Sequence, residues 1–381
     1  MRIVIIGGGI GGLAAALALR REGFEPAVYE RAPALLEVGA AIAVWPNAFR
    51  VLERLGLGAT LLARAGRMRG VRWLGRDGRL YNHFNFPETS APAVALHRAD
   101  LQGALLRALP PESIHLGQTF AGFFAEGEEV RARFEDGTEV GCDVLVGADG
   151  LHSRVRAQLL GDGEPVYRGY TVWRGVARLE HAALQTGTAS EIYGAGQRFG
   201  IGPVGLGRTG WWATANETEA VTESASEHAP KLLRLFESWC APVRELIEAT
   251  PSEHILRNAA YDRPAAARWG EGTVTMLGDA AHPMTPNLGQ GGCVAVEDAA
   301  VLARCLAKHR DARVALRIYE SRRRARADRV AIYSRRYGAF GQWQSGAAER
   351  LRARLLSTVP ASFGRRILSR VFDYDAYGVG V

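Results

Sequence analysis

Little in this chain could be held by covalent or metal cross-links. Cysteine occurs 4 times in 381 residues, at Cys142, Cys240, Cys293 and Cys305, and no two form a C-x-x-C pair. That scatter argues against a disulfide framework and against a zinc site, so no metal is expected. Long apolar runs are missing as well. None approaches the roughly 18 residues that a membrane-spanning helix needs. A strand-like run begins at Arg2 and leaves no room for a signal peptide, which makes the cytoplasm the expected location. Lysine is nearly absent, confined to Lys231 and Lys308, although Lys and Arg together number 47. The net charge of +7 therefore rests on arginines scattered along the chain. A scatter of this kind does not make the basic stripe that nucleic acid requires, and no nucleic-acid partner is expected. The one dense run, Arg322–Arg329, reads as a solvated helix face or as a neutraliser of phosphates and acidic neighbours. Weak contact of the C-terminal arginines with a membrane surface is a secondary reading. Internal repeats and low-complexity linkers are also lacking.

What is present starts at the first residues. Ile3 to Ile6 form a short apolar β-branched run, followed by Gly7, Gly9 and Gly12 in G-x-G-x-x-G spacing and an Ala/Leu-rich helix expected to stop at Gly23. Gly7 allows the tight turn, Gly9 the approach of a pyrophosphate, and Gly12 the packing of helix on strand. Free N–H groups at the helix start, Gly11 included, face the phosphates. A second strand ends on Glu30, where an adenosine ribose would be held, with Arg31 beside it. Order and spacing together make this a strong dinucleotide signal.

Further along, Pro46-Asn47 opens a helix, and Asp77-Gly78 and Asp136-Gly137 mark hairpins. The stretch from Ala95 reads as helix with Asp100 as N-cap. Cys142 to Gly147 is a buried strand running into Asp149-Gly150, and Ser153 to Leu160 a helix. Capping that helix is the secondary reading of Asp149. Residues 170–212 alternate as short strands with glycine turns, 226–250 read as helix, and the end is helical. Gly272 to Asp279 is a late strand, followed by a turn and a helix from about Gly292. The expected fold class is therefore α/β. A Rossmann-like dinucleotide domain with a parallel sheet (1–70, 95–165 and 271–330) is interrupted by a mainly antiparallel substrate domain (71–94 and 166–270) and followed by C-terminal helices (331–381).

Asp149-Gly150 and Gly278-Asp279 both fall at the C-terminal edge of a strand, where open α/β sheets bind ligands. With the glycine fingerprint they resemble, as a set, the class A FAD-dependent aromatic hydroxylases. Val38–Asn47 and GDAAHPMTPNLGQGGCVAVEDA resemble urate hydroxylases and bacterial alkyl-quinolone 3-hydroxylases, and Gly341–Ser345 with Val359–Arg366 leans toward the quinolone group. The resemblance implies FAD on Gly7–Gly12 and Glu30, with Arg98 at its phosphates and Asp279 at its ribityl chain. It puts Pro286, Leu288, Gly289, Gly291 and Gly292 beside the flavin ring, and Asp149-Gly150 near both FAD and NADH or NADPH. It implies O₂ activation as a flavin C4a-hydroperoxide and hydroxylation of a small aromatic or heteroaromatic partner by a monomer or homodimer. Trp173, Tyr193, Phe199, Trp211 and Trp212 are the candidates for an apolar substrate pocket, although Trp211 and Trp212, as neighbours on a strand, cannot both face it. Arg174 and Arg198 are the candidates for holding an anionic oxygen of the substrate. Arg198 matches a substrate arginine of urate hydroxylases, but the tyrosine those enzymes use next falls at Gly210, which argues against urate. His282 is a weaker candidate for proton transfer, since Pro283 beside it suggests a structural turn. An epoxidase or antibiotic-modifying hydroxylase on the same scaffold is the alternative enzyme. A flavin-binding regulator that never turns over is the non-enzyme alternative.

Overall fold

In the computed structural model, residues 1–35, 40–86, 91–126, 129–184, 187–219, 223–360 and 369–381 are described. Val38 and Gly39 of the early motif and most of the Val359–Arg366 stretch lie outside them. A six-stranded sheet has the order Gly270–Glu271, Val274–Met276, Val144–Gly147, Ile3–Ile6, Ala27–Glu30, Ile114–Leu116. Its strands run parallel, apart from the Gly270–Glu271 edge. Ile3 to Ile6 and Val144 to Gly147 are buried throughout, as central parallel strands require. The helices Ile10–Arg21 and Gly291–Lys308 pack together against this sheet, and Gly11 makes their close approach workable through Leu277 and Ala295. Each fully buried aliphatic side chain at such contacts contributes roughly 1.5–3 kcal/mol.

The second layer is a seven-stranded sheet of order Leu256–Asp262, Val166–Ala177, Arg208–Asn216, Gln197–Gly205, Thr188–Gly194, Gly70–Gly75, Leu80–Asn85. It is antiparallel except where Thr188–Gly194 meets Gly70–Gly75. Two three-stranded sheets complete the β structure. One is Ala41–Val44, Ala93–His97 and Gly66–Met68, and the other Glu139–Cys142, Glu129–Phe134 and Phe120–Glu126. One face of the seven-stranded sheet is covered by the helices His228–Leu235 and Val243–Glu248, with Phe199, Trp211 and Phe236 in the core between them. Its other face meets the helix Ala312–Gly341, which runs 30 residues. The fold is thus α/β, with a parallel-sheet domain, an interrupting antiparallel sheet and C-terminal helices.

Local expectations were revised in three places. The stretch from Ala95 is strand up to His97, and the helix begins at Arg98. Its N-cap is His97, whose Nδ1 accepts from Ala99 N at 3.3 Å, whereas Asp100 sits in the first turn and pairs with Arg64 and Arg208. Residues 226–250 form two helices, because Cys240 to Pro242 turn the chain between them. The Arg322–Arg329 run is only partly a solvated face. Arg323 and Arg326 are buried in ion pairs with Glu297 and Asp298.

Candidate active site

The glycine loop is shaped by what each position would collide with. Gly7 has φ +111°, and a Cβ there would clash with the carbonyl of Ala148. A Cβ on Gly12 would clash with Gly7 O, while Gly9 faces open space. The loop is therefore closed on the sheet side and open at the one glycine over which a pyrophosphate would lie. Glu30 reaches back to the loop, Oε2 accepting from Gly8 N at 2.6 Å and Oε1 from Ala32 N at 2.9 Å. Its half-buried carboxylate thus stands at the loop rim, with Arg31 exposed next to it. Gln102, not anticipated from the sequence, donates to Gly8 O at 3.3 Å.

Asp149 is used locally. It accepts from Ser153 Oγ at 2.5 Å, Arg154 N at 2.7 Å and Val155 N at 3.2 Å, which makes it part of the cap of Arg154–Leu160. Burial pushes its carboxyl up, against the opposing pull of these donors. Gly150, at φ +80°, has open space where a Cβ would stand.

The late turn is the other end of the same cleft. Pro286, Asp279 and Gly289 are exposed, and Leu288, Gly291 and Gly292 are partly so. The helix that begins at Gly291 has no side-chain cap on its first turn, and neither does the helix that begins at Ile10. Two uncapped helix starts, opening at Gly9 and at Gln290-Gly291, offer N–H groups and positive dipole ends to phosphates and to an electron-rich ring edge. Asp279 lies by Gly291, its Oδ1 3.6 Å from where a Cβ would be. Arg98 is exposed at the head of its own helix. Trp45 Nε1 is buried without a partner, 3.2 Å from a Cβ position on Gly289. These features fit a dinucleotide with two phosphates, a polyol and a planar ring.

Beneath the turn lies a charge network. His282 Nε2 meets Asp298 Oδ2 at 2.5 Å, and the same oxygen accepts from Gly278 N at 3.0 Å. Arg323 Nε donates to Asp298 Oδ1 at 2.7 Å, and Arg323 Nη2 to Glu297 Oε2 at 2.5 Å. Glu297 also accepts from Arg326 at 3.0 Å and from Asn47 at 2.6 Å, and Asn47 donates to Gln290 at 2.9 Å. Burial works against ionising Asp298, but His282 and Arg323 outweigh it and hold the carboxyl below its usual range. His282 is 4% exposed and bound to Asp298, so its ring is fixed as a strut of the turn. The sequence signal for this network was the Glu297-Asp298 pair inside an otherwise apolar helix. Charges in such a setting need partners.

The pocket candidates divide by strand alternation. Trp173, Phe199 and Trp211 point into the helix-covered core, away from the cleft. Phe199 stacks on Trp211 at 5.4 Å, and Trp211 Nε1 donates to Thr250 Oγ1 at 2.9 Å. Their assignment to a substrate pocket is corrected accordingly. Arg174, Trp212, Arg198 and Tyr193 share the opposite face. That face meets the early strand and the late turn, since a Cβ on Gly210 would run into Ala41, and Arg198 contacts Asn287. Trp212 lies flat on Gly200, whose missing side chain makes room for the ring.

Tyr193 is 1% exposed and hydrogen-bonds Tyr337 at 2.6 Å, and Tyr337 donates to Glu191 Oε2 at 2.5 Å. Desolvation keeps both phenols well above their ordinary pKa, Glu191 adding to the effect. Arg198 is wholly buried. It donates to Gln342 at 2.9 Å, Glu191 at 3.0 Å and Asn287 at 2.5 Å. Neither Tyr193 nor Arg198 opens to the cleft, and Asn287, Tyr337 and Gln342 were not anticipated. Arg174 is different. Its charge is met by the amide oxygen of Asn258, while its Nε is buried without a partner. Desolvation lowers its pKa, and the nearby Arg98 lowers it further.

Comparison with known proteins agrees with this geometry. Residues 1–334 match the family described as FAD binding domain. The aurachin C monooxygenase/isomerase of Stigmatella aurantiaca is 41% identical over 360 residues, which is 93% of this chain and 94% of that protein. A zeaxanthin epoxidase of Nicotiana plumbaginifolia is 37% identical over 80% of this chain, but the match spans only 48% of that longer protein. Among solved structures, Klebsiella pneumoniae HpxO complexed with FAD and uric acid superposes with a TM-score of 0.91 at 30% identity, covering 98% of this chain and 96% of that one. The glycine loop, the late turn and these relationships lead to one conclusion: the chain belongs to the FAD-binding-domain family and is an FAD-dependent monooxygenase of the class A type.

Proposed function

We propose that the chain takes electrons from NADH or NADPH and hydroxylates an activated, fused heteroaromatic ring, quinolone-like in shape, with O₂ as oxidant. FAD, when bound, would supply the redox and oxygen-transfer chemistry. The residues of this chain position and shield. Gly9 and the two uncapped helix starts receive the pyrophosphate and ring edge, Glu30 the adenosine ribose, and Asp279 the ribityl hydroxyls. Trp212, flat on Gly200, forms an apolar wall that excludes water from the reacting ring.

The observation that carries the substrate reading is Arg174. A guanidinium whose charge meets the neutral amide oxygen of Asn258, with no carboxylate beside it among the described residues, is suited to an anionic oxygen brought by the ligand. An enolate or phenolate oxygen would do this and would also make the ring electron-rich, as electrophilic hydroxylation requires. The 41% identity, over 93% of this chain, to a protein named aurachin C monooxygenase/isomerase supports monooxygenation as the reaction. The zeaxanthin epoxidase relationship supports epoxidation of an apolar alkene as the second reading. The test is substrate-stimulated NADH and NADPH oxidation by the FAD-loaded protein across quinolones, purines, aromatic acids and carotenoids. Stimulation by quinolones with formation of a hydroxylated product is expected. Stimulation by carotenoids alone would select the epoxidase, and stimulation by none of the panel would overturn the quinolone reading.

A further inference from the structure

A second cavity lies on the other face of the seven-stranded sheet, away from the flavin cleft. It measures about 590 Å³, within the range of small-molecule sites. The Cys240–Pro242 turn and the Leu179–Leu184 stretch enclose it. Its floor is apolar, built by Leu74, Ile192, Ile201 and Leu184. Ile201 and Ile192 are side chains of the helix-covered face, so the sheet itself separates this space from Arg174 and Trp212.

The rim carries Arg67, Arg69 and Arg72, with Glu180 as the acidic group among the lining residues; Arg208, also there, is taken up by Asp100. Arg72 is the informative member. Nη2 donates to Ala183 O at 3.1 Å and to Ser190 Oγ at 3.0 Å, both neutral acceptors, and Nε is buried with no partner. Desolvation lowers its pKa, with only the Cys240 thiol opposing the shift. A half-buried guanidinium in a cavity wall whose hydrogen bonds go to neutral acceptors has the chemistry to receive an anion.

We propose that this outer cavity binds an amphipathic anion, a medium-chain fatty carboxylate, with the carboxylate on Arg72 and the chain over Leu74, Ile192 and Ile201. A carboxylate matches the planar donors of arginine, and an alkyl chain matches the floor. Phosphate-like dianions without a chain would leave that floor wet. The site is independent of the substrate cleft, so its fate does not depend on the catalytic reading.

Calorimetric titration of the FAD-loaded protein with decanoate, below its micelle concentration, tests this. Saturable one-to-one binding is expected, with methyl decanoate at least ten-fold weaker because it carries no charge. R72M keeps the stem and removes the charge. L184W fills the cavity from the partly buried Leu184 of its floor. Both should weaken decanoate at least ten-fold while flavin content stays unchanged, and R174M should bind decanoate as the wild type does. Absence of saturable binding, equal binding of the ester, wild-type binding by both R72M and L184W, or loss of binding in R174M would each overturn the proposal.

Discussion

Arg174 and Arg198 share one sheet face, and only Arg198 has Nε, Nη1 and Nη2 all matched to acceptors. The two substitutions should therefore behave differently. On the proposed substrate contact, R174M would remove a charged hydrogen bond worth about 1.5–3 kcal/mol, so KM should rise roughly ten- to a hundred-fold with flavin content unchanged. R198M instead leaves buried Glu191 without its cation and releases Asn287 from the turn that faces the flavin. It should lower stability by about 3–5 kcal/mol, read by thermal unfolding, and weaken flavin retention. A large KM increase in R198M with unchanged stability and flavin content would return Arg198 to the substrate. The sequence could not separate these two arginines. Both stand on strands among aromatics, and the difference lies in Gln342, Asn287 and Tyr337, which arrive from distant parts of the chain.

At the scale of elements, the glycine loop was legible because local rules write it. Strand, turn and helix are contiguous, and Gly12 answers to Gly7 within the same unit, although Gly7 itself answers to Ala148 just past the neighbouring strand. The open space at Gly9 and the blocked space at Gly12 give a paired prediction. G9A, at an ordinary φ of −72°, should fold with an unchanged melting temperature but bind FAD at least ten-fold more weakly, whereas G12A should lose stability outright. Equal FAD affinity in G9A and wild type would place the pyrophosphate elsewhere.

The pairing of the two long C-terminal-half helices was legible only in part. Glu297-Asp298 in an apolar helix and arginines at 323 and 326 are each visible in the sequence, but their meeting depends on tertiary packing. Because His282 and Arg323 hold Asp298 below its usual range, that carboxylate contributes stability in full above the ordinary carboxylate range. The contribution is lost as pH falls through the depressed value. D298N should therefore lower the melting temperature at neutral pH and flatten its fall in acid, seen by unfolding scans from neutral pH downward. A steeper acid limb in the variant would contradict the pairing.

At the scale of the whole molecule, the division of labour follows from two sheets whose facing sides form one cleft. The parallel sheet brings the glycine loop and the late turn to its C-terminal edge, and the antiparallel sheet carries Arg174 and Trp212 together on one face. Alternation along strands decided which aromatics could reach that cleft. It sent Trp173, Phe199 and Trp211 to the core, a choice the sequence pattern leaves open because both sheet faces are covered. The long helix Ala312–Gly341 then locks the layers together through Tyr337 below and Arg323 above, tying the turn to both. The central claim is that this cleft transfers one oxygen atom to an aromatic ring. Turnover of the FAD-loaded protein with NADH or NADPH, a quinolone and isotopically labelled dioxygen tests it most directly. The account predicts product carrying a single labelled oxygen in step with coenzyme consumed. Label appearing only as hydrogen peroxide, or product oxygen drawn from water, would contradict it.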